Sequence, residues 1–356
     1  MNRTVHARAP LRVNDIGGWT DTWFAKRGNV LNLAVAPPVE VQIRARKNEE
    51  ETEERVLVHA TNYGETFSVV PERPASRPHA FLQHTIGMIP IPWEWRLEID
   101  IFSPVPAGIS TGTSASVCVA LLGALSFFVG RTIPPDEVAA LAHRVETEKL
   151  GQQSGIQDQI CAARGGVTFI RMFEYPKAEI TGLELRPSIW EELNRRIGLV
   201  YLGKPHQSSA THEEVIALLE KGGPLFGRLE RMRKLAEDAR DHLLRGDLES
   251  YGRVMAENNE CQRGLYAGLI SPEADLVIEA ARRYGASGWK VNGAGGQGGS
   301  LAVLAGPDDS LRRRMLEAIN SLGGGIRVLP ASLSAAGLQV WEVGVKPTLL
   351  TNLSKE

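Results

Sequence analysis

From residue 5 to about 103, apolar positions come in short runs separated by Gly, Pro and Asn. This predicts extended segments at Val5–Val13, Val30–Val35, Val39–Ala45, Arg55–His59, Thr66–Val70 and Trp95–Phe102. The polar, mostly acidic stretch from Asn48 to Glu54 lies between two of them and reads as a solvated hairpin tip. The pattern then changes. Thr113 to Val129 carries small and apolar residues on nearly every side, as a buried helix does. A second helix is expected from Pro135–Asp136, where Pro suits the first turn and Asp can cap, to about Leu150. Gly166–Arg171 reads as a strand.

Beyond residue 195 a strand at Gly198–Leu202 precedes amphipathic helices near His212–Lys221, Leu225–Arg245, Leu248–Ala267 and Pro272–Tyr284. Lys290–Asn292, a run of glycines and strands at Ser300–Leu304, Ile326–Pro330 and Leu338–Val345 close the pattern. The expected class is α+β. At 356 residues the chain exceeds the roughly 250 at which single cores split, so two lobes are expected, residues 1–195 and 196–356, with a cleft between them. No repeat or low-complexity linker separates them.

Charge narrows the partners. Forty basic and 42 acidic side chains intermingle to a net charge of −2, which gives no field for nucleic acid or an anionic membrane, so small ligands are expected. No window approaches the ~18 consecutive apolar residues of a membrane span, and no basic stretch leads into an apolar run at the start. Cys118, Cys161 and Cys261 are too few and scattered for a disulfide framework, which fits a reducing cytoplasm.

The strongest chemical signal is Pro104-Val-Pro-Ala-Gly-Ile-Ser-Thr-Gly-Thr-Ser-Ala-Ser116, which joins a strand to the apolar helix. Glycines admit close backbone approach, and a helix N-terminus offers unpaired N–H donors, so polyphosphate is a natural occupant. Thr111, Thr113, Ser114 and Ser116 add hydroxyls for phosphate oxygens or Mg²⁺. The alternative is a Ser/Thr-rich cap on a core helix. The GK[ST] ending of a Walker loop is missing.

This segment resembles the phosphate loop of the GHMP kinases, usually written PxxxGLGSSAS, with Ser110 in place of the first glycine and Thr111 in place of the leucine. Three further segments are similar to that family in the same order. Ala9-Pro-Leu-Arg-Val-Asn-Asp-Ile-Gly-Gly-Trp-Thr-Asp21 looks like its sugar-kinase signature, Gly155-Ile-Gln-Asp-Gln159 like the segment that carries its catalytic aspartate, and Lys290-Val-Asn-Gly-Ala-Gly-Gly-Gln-Gly-Gly299 like its glycine-rich segment. The resemblance spans most of the chain and implies a two-lobed fold, ribosomal protein S5-like then ferredoxin-like, with the active site between the lobes.

It also implies roles. Asp158 would orient the attacking hydroxyl and take its proton, with Arg12 keeping that carboxylate ionised. Gly18, Trp19, Thr20 and Asp21 would line the sugar, joined by His206 and Ser208 of the segment Gly203–Ser209. ATP would lie on Pro106, Gly108, Ser110, Thr111, Gly112, Thr113, Ser114, Ala115 and Ser116, backed by Gly295 and Gly296 with Gly293 and Ala294. Mg²⁺ would bridge Ser114 and Glu146, with Glu148 the competing carboxylate. Within the family, GGWTDT looks nearest to fucokinases and heptose 7-phosphate kinases, which implies phosphorylation of an anomeric hydroxyl by a monomer or homodimer. A phosphorylated sugar would call for a basic cluster, for which Lys204, His206 and Arg27 are the candidates. A non-catalytic sugar sensor, a kinase of another small alcohol and an ATP-dependent decarboxylase are the alternatives.

Overall fold

The computed structural model describes residues 3–61, 64–73, 79–206, 209–220, 223, 225–343 and 348–349. β1 (Arg3–Ile16) runs antiparallel to β2 (Gly28–Lys47), a strand long enough to take different partners along its length. β3 (Val56–Ala60), β4 (Glu65–Val69), α1 (Ala80–Gly87) and β5 (Trp95–Phe102) follow. β5 pairs antiparallel with residues 40–47 of β2 and parallel with β3, so it is inserted between them. Asn48–Glu54 is therefore a crossover and not a hairpin tip. Asn48 is buried there, with Nδ2 donating to the carbonyls of Thr52 and Trp93.

α2 (Thr113–Phe128) and α3 (Pro135–Arg144) pack on this sheet, and α3 continues into a π-helical turn, Val145–Lys149. α4 (Gln157–Arg164) leads into β6 (Val167–Glu174), which takes residues 28–33 of β2, and β7 (Lys177–Gly182). After α5 (Pro187–Arg196), β8 (Ile197–Leu202) opens a second sheet. α6 (Ser209–Glu220), α7 (Leu225–Arg245), α8 (Leu248–Leu265), α9 (Pro272–Arg283), β9 (Gly288–Val291), β10 (Ser300–Leu304), α10 (Asp309–Asn320) and β11 (Ile326–Leu329) complete that unit, with strand order β11-β8-β10-β9.

The chain then goes back. β12 (Ser332–Leu333) pairs with β2, β13 (Gln339–Glu342) lies along the outer edge of β1, and β14 (Thr348–Leu349) pairs with β13. The second unit expected over 196–356 thus gives up its last strands to the first sheet. Among the described residues no helix is long and apolar enough to cross a membrane, and the three cysteines are buried and free.

Packing explains how β1 serves the site. Its register against β2 slips between Ala9 and Leu11 and again between Val13 and Ile16. Between Ala9 and Leu11 the partner strand advances four residues against two of β1, and this bulge interrupts the alternation of faces. Val5, Ala7 and Ala9 accordingly share a core with Cys118 and Leu122 of α2, whereas Leu11 and Val13 pack with Met232, Ala236 and Met255 of α7 and α8. Arg12, between those two, is thereby turned towards the start of α2.

Candidate active site

Arg12 and Asp158 meet at the centre of the cleft. Nε of Arg12 donates to Asp158 Oδ1 at 2.7 Å and Nη2 to Oδ2 at 3.2 Å, while Nη1 donates to the carbonyl of Ser110 at 2.5 Å. Burial works against the guanidinium charge, but Asp158 and Asp15 outweigh it and hold its pKa above the ordinary value. Asp158 lies in the first turn of α4. Gly112 starts α2 at φ 68, and a Cβ there would lie 3.2 Å from the Asp158 carboxyl. Glycine suits both the backbone and the close approach.

Asp158 and Arg12 border two cavities at once, together with Gly293 and Ala294. One, of about 180 Å³, is walled by Asp15, Trp19, Asp21, Trp23, Phe24 and Gln157. The other, of about 330 Å³, follows the loop from Gly108 to Ala115 and reaches Glu146 and His206. A smaller apolar cavity adjoins the loop at Gly108 and Ser114, walled by Phe81, Leu82, Ile101, Val105 and Val117.

Both flanking carboxylates are buried. Asp21 Oδ2 accepts the N–H groups of Ile156 at 2.9 Å and Gln157 at 3.1 Å, so it caps the helix that carries Asp158. Desolvation pushes its pKa up to about 6; the Gln157 N–H opposes this and the Asp158 charge adds to it. Glu146, on the π-helical turn, accepts Ser154 Oγ at 2.5 Å and Gln159 Nε2 at 2.7 Å, and desolvation raises it to about 7. Glu148 instead lies exposed, paired with Arg144 at 3.0 Å. Of the two glutamates, Glu146 is the one that reaches the loop cavity.

Several expected site residues spend their polar groups elsewhere. Thr20 is fully buried and its hydroxyl bonds the carbonyls of Gly17 and Asn29, bracing the turn. Gly18 packs against Asp15, where a Cβ would fall 2.6 Å from Oδ2. Ser116 Oγ donates to the carbonyls of Pro10 and Gly112, which ties α2 to β1 and removes it from any phosphate. Thr111 is fully buried with its hydroxyl 3.3 Å from Thr113, and Pro106 does not border the loop cavity. Gly295 lies against the Leu269 carbonyl, and Gly296 donates its N–H to that carbonyl and approaches the His206 ring; neither borders the loop cavity, which Gly293 and Ala294 reach. His206 borders the loop cavity and not the one that holds Asp21. Ser208 lies outside the described residues.

Other participants went unread in the sequence. Asp15 Oδ1 accepts from Lys290 Nζ at 3.1 Å and from the Gly293 N–H at 3.0 Å, an almost fully buried ion pair between the lobes. It faces the same site as Arg12 although strand alternation puts residues three apart on opposite faces; Asn14, at φ 57, breaks the alternation. Asn258, Asn259 and Gln262, all fully buried on α8, bond the N–H groups of Gly17 and Val291 and the carbonyl of Gly293. A polar stripe on an otherwise apolar helix face was the available signal.

Comparison with known proteins fits this geometry. Family models described as GHMP kinases N terminal domain and GHMP kinases C terminal match residues 80–166 and 235–325. The L-fucokinase/L-fucose-1-P guanylyltransferase of Bacteroides fragilis is 25% identical over 369 residues, covering 95% of this chain but 38% of that protein. The chain thus spans little more than a third of that relative. A mevalonate kinase of Pyrococcus furiosus is 31% identical over 257 residues, 69% of this chain and 70% of its own length. The solved D-glycero-D-manno-heptose 1-phosphate kinase of Bacteroides thetaiotaomicron shares the fold, with a TM-score of 0.73 at 19% identity over 96% of this chain and 100% of that one. Two lobes in the expected order, a glycine-rich loop at the start of a buried helix and relatives at this identity together make the chain a member of the GHMP kinase family.

Proposed function

We propose that the protein is an ATP-dependent sugar kinase that transfers the γ-phosphoryl group to the anomeric hydroxyl of a neutral sugar. The observation that carries this reading is the position of Asp158, which borders the loop cavity and the Asp21 cavity together and is held by two nitrogens of Arg12. A carboxylate so placed can orient a hydroxyl from one cavity towards a phosphate in the other and accept its proton. Arg12 holds Asp158 with two nitrogens and fixes its plane. The triphosphate would follow Gly108–Ala115 to the α2 N-terminus, and the base would enter the apolar cavity at Phe81 and Leu82.

The donor set suits Mg²⁺. Ser114 and Glu146 present oxygens to the same cavity, and Gln159, which bonds Glu146, has a buried Oε1 with no hydrogen-bond partner. When bound there, the ion neutralises charge on the phosphates.

Cavity chemistry selects the acceptor. Asp21 and the partnerless buried Gln157 Oε1 suit hydroxyl donors, and Trp19, Trp23 and Phe24 suit the apolar face of a sugar ring. The basic cluster that a phosphorylated sugar needs is not assembled among the described residues: Lys204 binds Glu273 at 2.8 Å, Arg27 binds Glu230 at 3.2 Å, and His206 belongs to the loop cavity. An acid such as mevalonate lacks a partner too, because the cavity's one described cation, Arg12, is already committed to Asp158. Transfer to the 1-hydroxyl is the reading favoured by the Bacteroides fragilis relative, whose name includes L-fucose-1-P.

The test is ATP consumption with a panel of neutral hexoses and deoxyhexoses and with 7-phosphorylated heptose, the product's phosphate being placed by ³¹P NMR. A neutral sugar 1-phosphate is expected, and Asp158→Asn should lower kcat by at least about 10³-fold with nucleotide binding kept. Binding of sugar and ATP without turnover would identify a sensor instead.

A further inference from the structure

Glu146 is not held by α3 alone. Its Oε2 takes Ser154 Oγ at 2.5 Å, and Ser154 is anchored in turn, because its carbonyl accepts the Tyr175 hydroxyl at 2.8 Å. That phenol proton is committed to Ser154, so His143 Nε2, 2.8 Å from the same oxygen, is the donor in that contact. The imidazole is buried and lies in the last turn of α3, one turn before Glu146. Tyr175 sits at the β6–β7 turn, and its ring meets His143 and Trp23 edge-on at centroid distances of 5.5 and 6.4 Å. Trp23 and Ser154 both wall the Asp21 cavity. One hairpin residue therefore braces the carboxylate of the loop cavity and a wall of the sugar cavity.

A π-helical turn gives Glu146 less local definition than an α-helix would. The Leu150 N–H reaches back five residues to the Val145 carbonyl, and the Gln152 N–H six residues to Glu146. The side chain's direction must come from outside the helix. Two contacts supply it, Ser154 and Gln159, and only the first runs through a separate anchor on the β6–β7 hairpin.

We propose that Tyr175, supported by His143, is a positioning residue that acts through Ser154 to aim Glu146 at the divalent cation of the nucleotide complex. This rests on the reading of Glu146 as the metal carboxylate. Removing the phenol hydroxyl lets the Ser154 carbonyl and hydroxyl turn, so Glu146 loses its direction while Asp21, Asp158 and the phosphate loop keep theirs.

The readout is the factor by which Mn²⁺ tightens AMP-PNP binding, measured by calorimetry with and without the ion and checked by the Mn²⁺ EPR signal. Tyr175→Phe should reduce that factor about five- to tenfold, with metal-free AMP-PNP affinity unchanged. Ser154→Ala should do the same, and the double variant should be no worse than Ser154→Ala, because both act along one chain of contacts. His143→Gln, which keeps an N–H donor, should retain more of the factor than His143→Leu. A factor left intact in Tyr175→Phe, or additive effects in the double variant, would overturn the proposal, whatever happens to Tm. Glu146→Gln separates the two levels. If it abolishes the factor while Tyr175→Phe does not, only this inference fails; if it leaves the factor intact, the metal reading fails and takes the inference with it.

Discussion

Arg12 grips Asp158 with two nitrogens, Nε at 2.7 Å from Oδ1 and Nη2 at 3.2 Å from Oδ2, and places Nη1 on the Ser110 carbonyl. A planar fork does all three tasks, and an ammonium cannot. Arg12→Lys should therefore lower kcat about 10²-fold or more while leaving metal-free nucleotide affinity within about threefold. A coupled ATPase assay with the accepted sugar checks it, and near-normal kcat would remove Arg12 from the orienting role.

The buried carboxylates set a pH trend. Asp21 rises from 3.8 to about 6 and Glu146 from 4.5 to about 7, so both favour the protonated form in the folded state. Their contribution to stability is full below about pH 4 and is lost as pH rises through about 6 and 7. Each difference corresponds to something on the order of 3 kcal/mol. Thermal melts without nucleotide or divalent ions should show Tm falling between about pH 4 and about pH 7, and Asp21→Asn with Glu146→Gln should flatten the curve. A flat wild-type profile would contradict the burial argument.

Gly155 tests the cap. A Cβ there would lie 2.3 Å from Asp21 Oδ2, so Gly155→Ala must push Asp21 off the Ile156 and Gln157 N–H groups or displace α4. The expected result is a loss of about 1–3 kcal/mol of stability with a raised sugar KM. An alanine variant with unaltered Tm and KM would show that the cap is dispensable.

Ser110 offers a gain. It adopts φ 59, a left-handed conformation that costs a non-glycine residue about 1–2 kcal/mol. Ser110→Gly should relieve that cost, less the extra freedom of glycine in the unfolded chain, for a net gain of about 0.5–1 kcal/mol. Calorimetry should find Tm higher by about 1–3 °C.

The sequence carried the ordered motifs, hence the loop on α2, the Arg12–Asp158 pair and the family. Local pattern could not reveal Asp15, because a backbone irregularity at Asn14 turns it into the site. Nor could it tell which hydroxyls of the loop are free: Ser116 and Ser114 look alike in one dimension, yet one is bonded to the Pro10 carbonyl and the other is exposed. Lys290 was read as part of a glycine motif, and its partner lies 275 positions away. Helix α4 was missed because Gly155 and two glutamines dilute the apolar period that marks a helix.

The strand β13 has a consequence for how the protein is made. Val5 is paired with Glu342, so the outer edge of β1 stays open until nearly all of the described chain has been synthesised. During that interval β1 presents a row of unpaired N–H and C=O groups, a template for another chain. Shielding of that edge during synthesis therefore bears on yield separately from the stability of the finished fold.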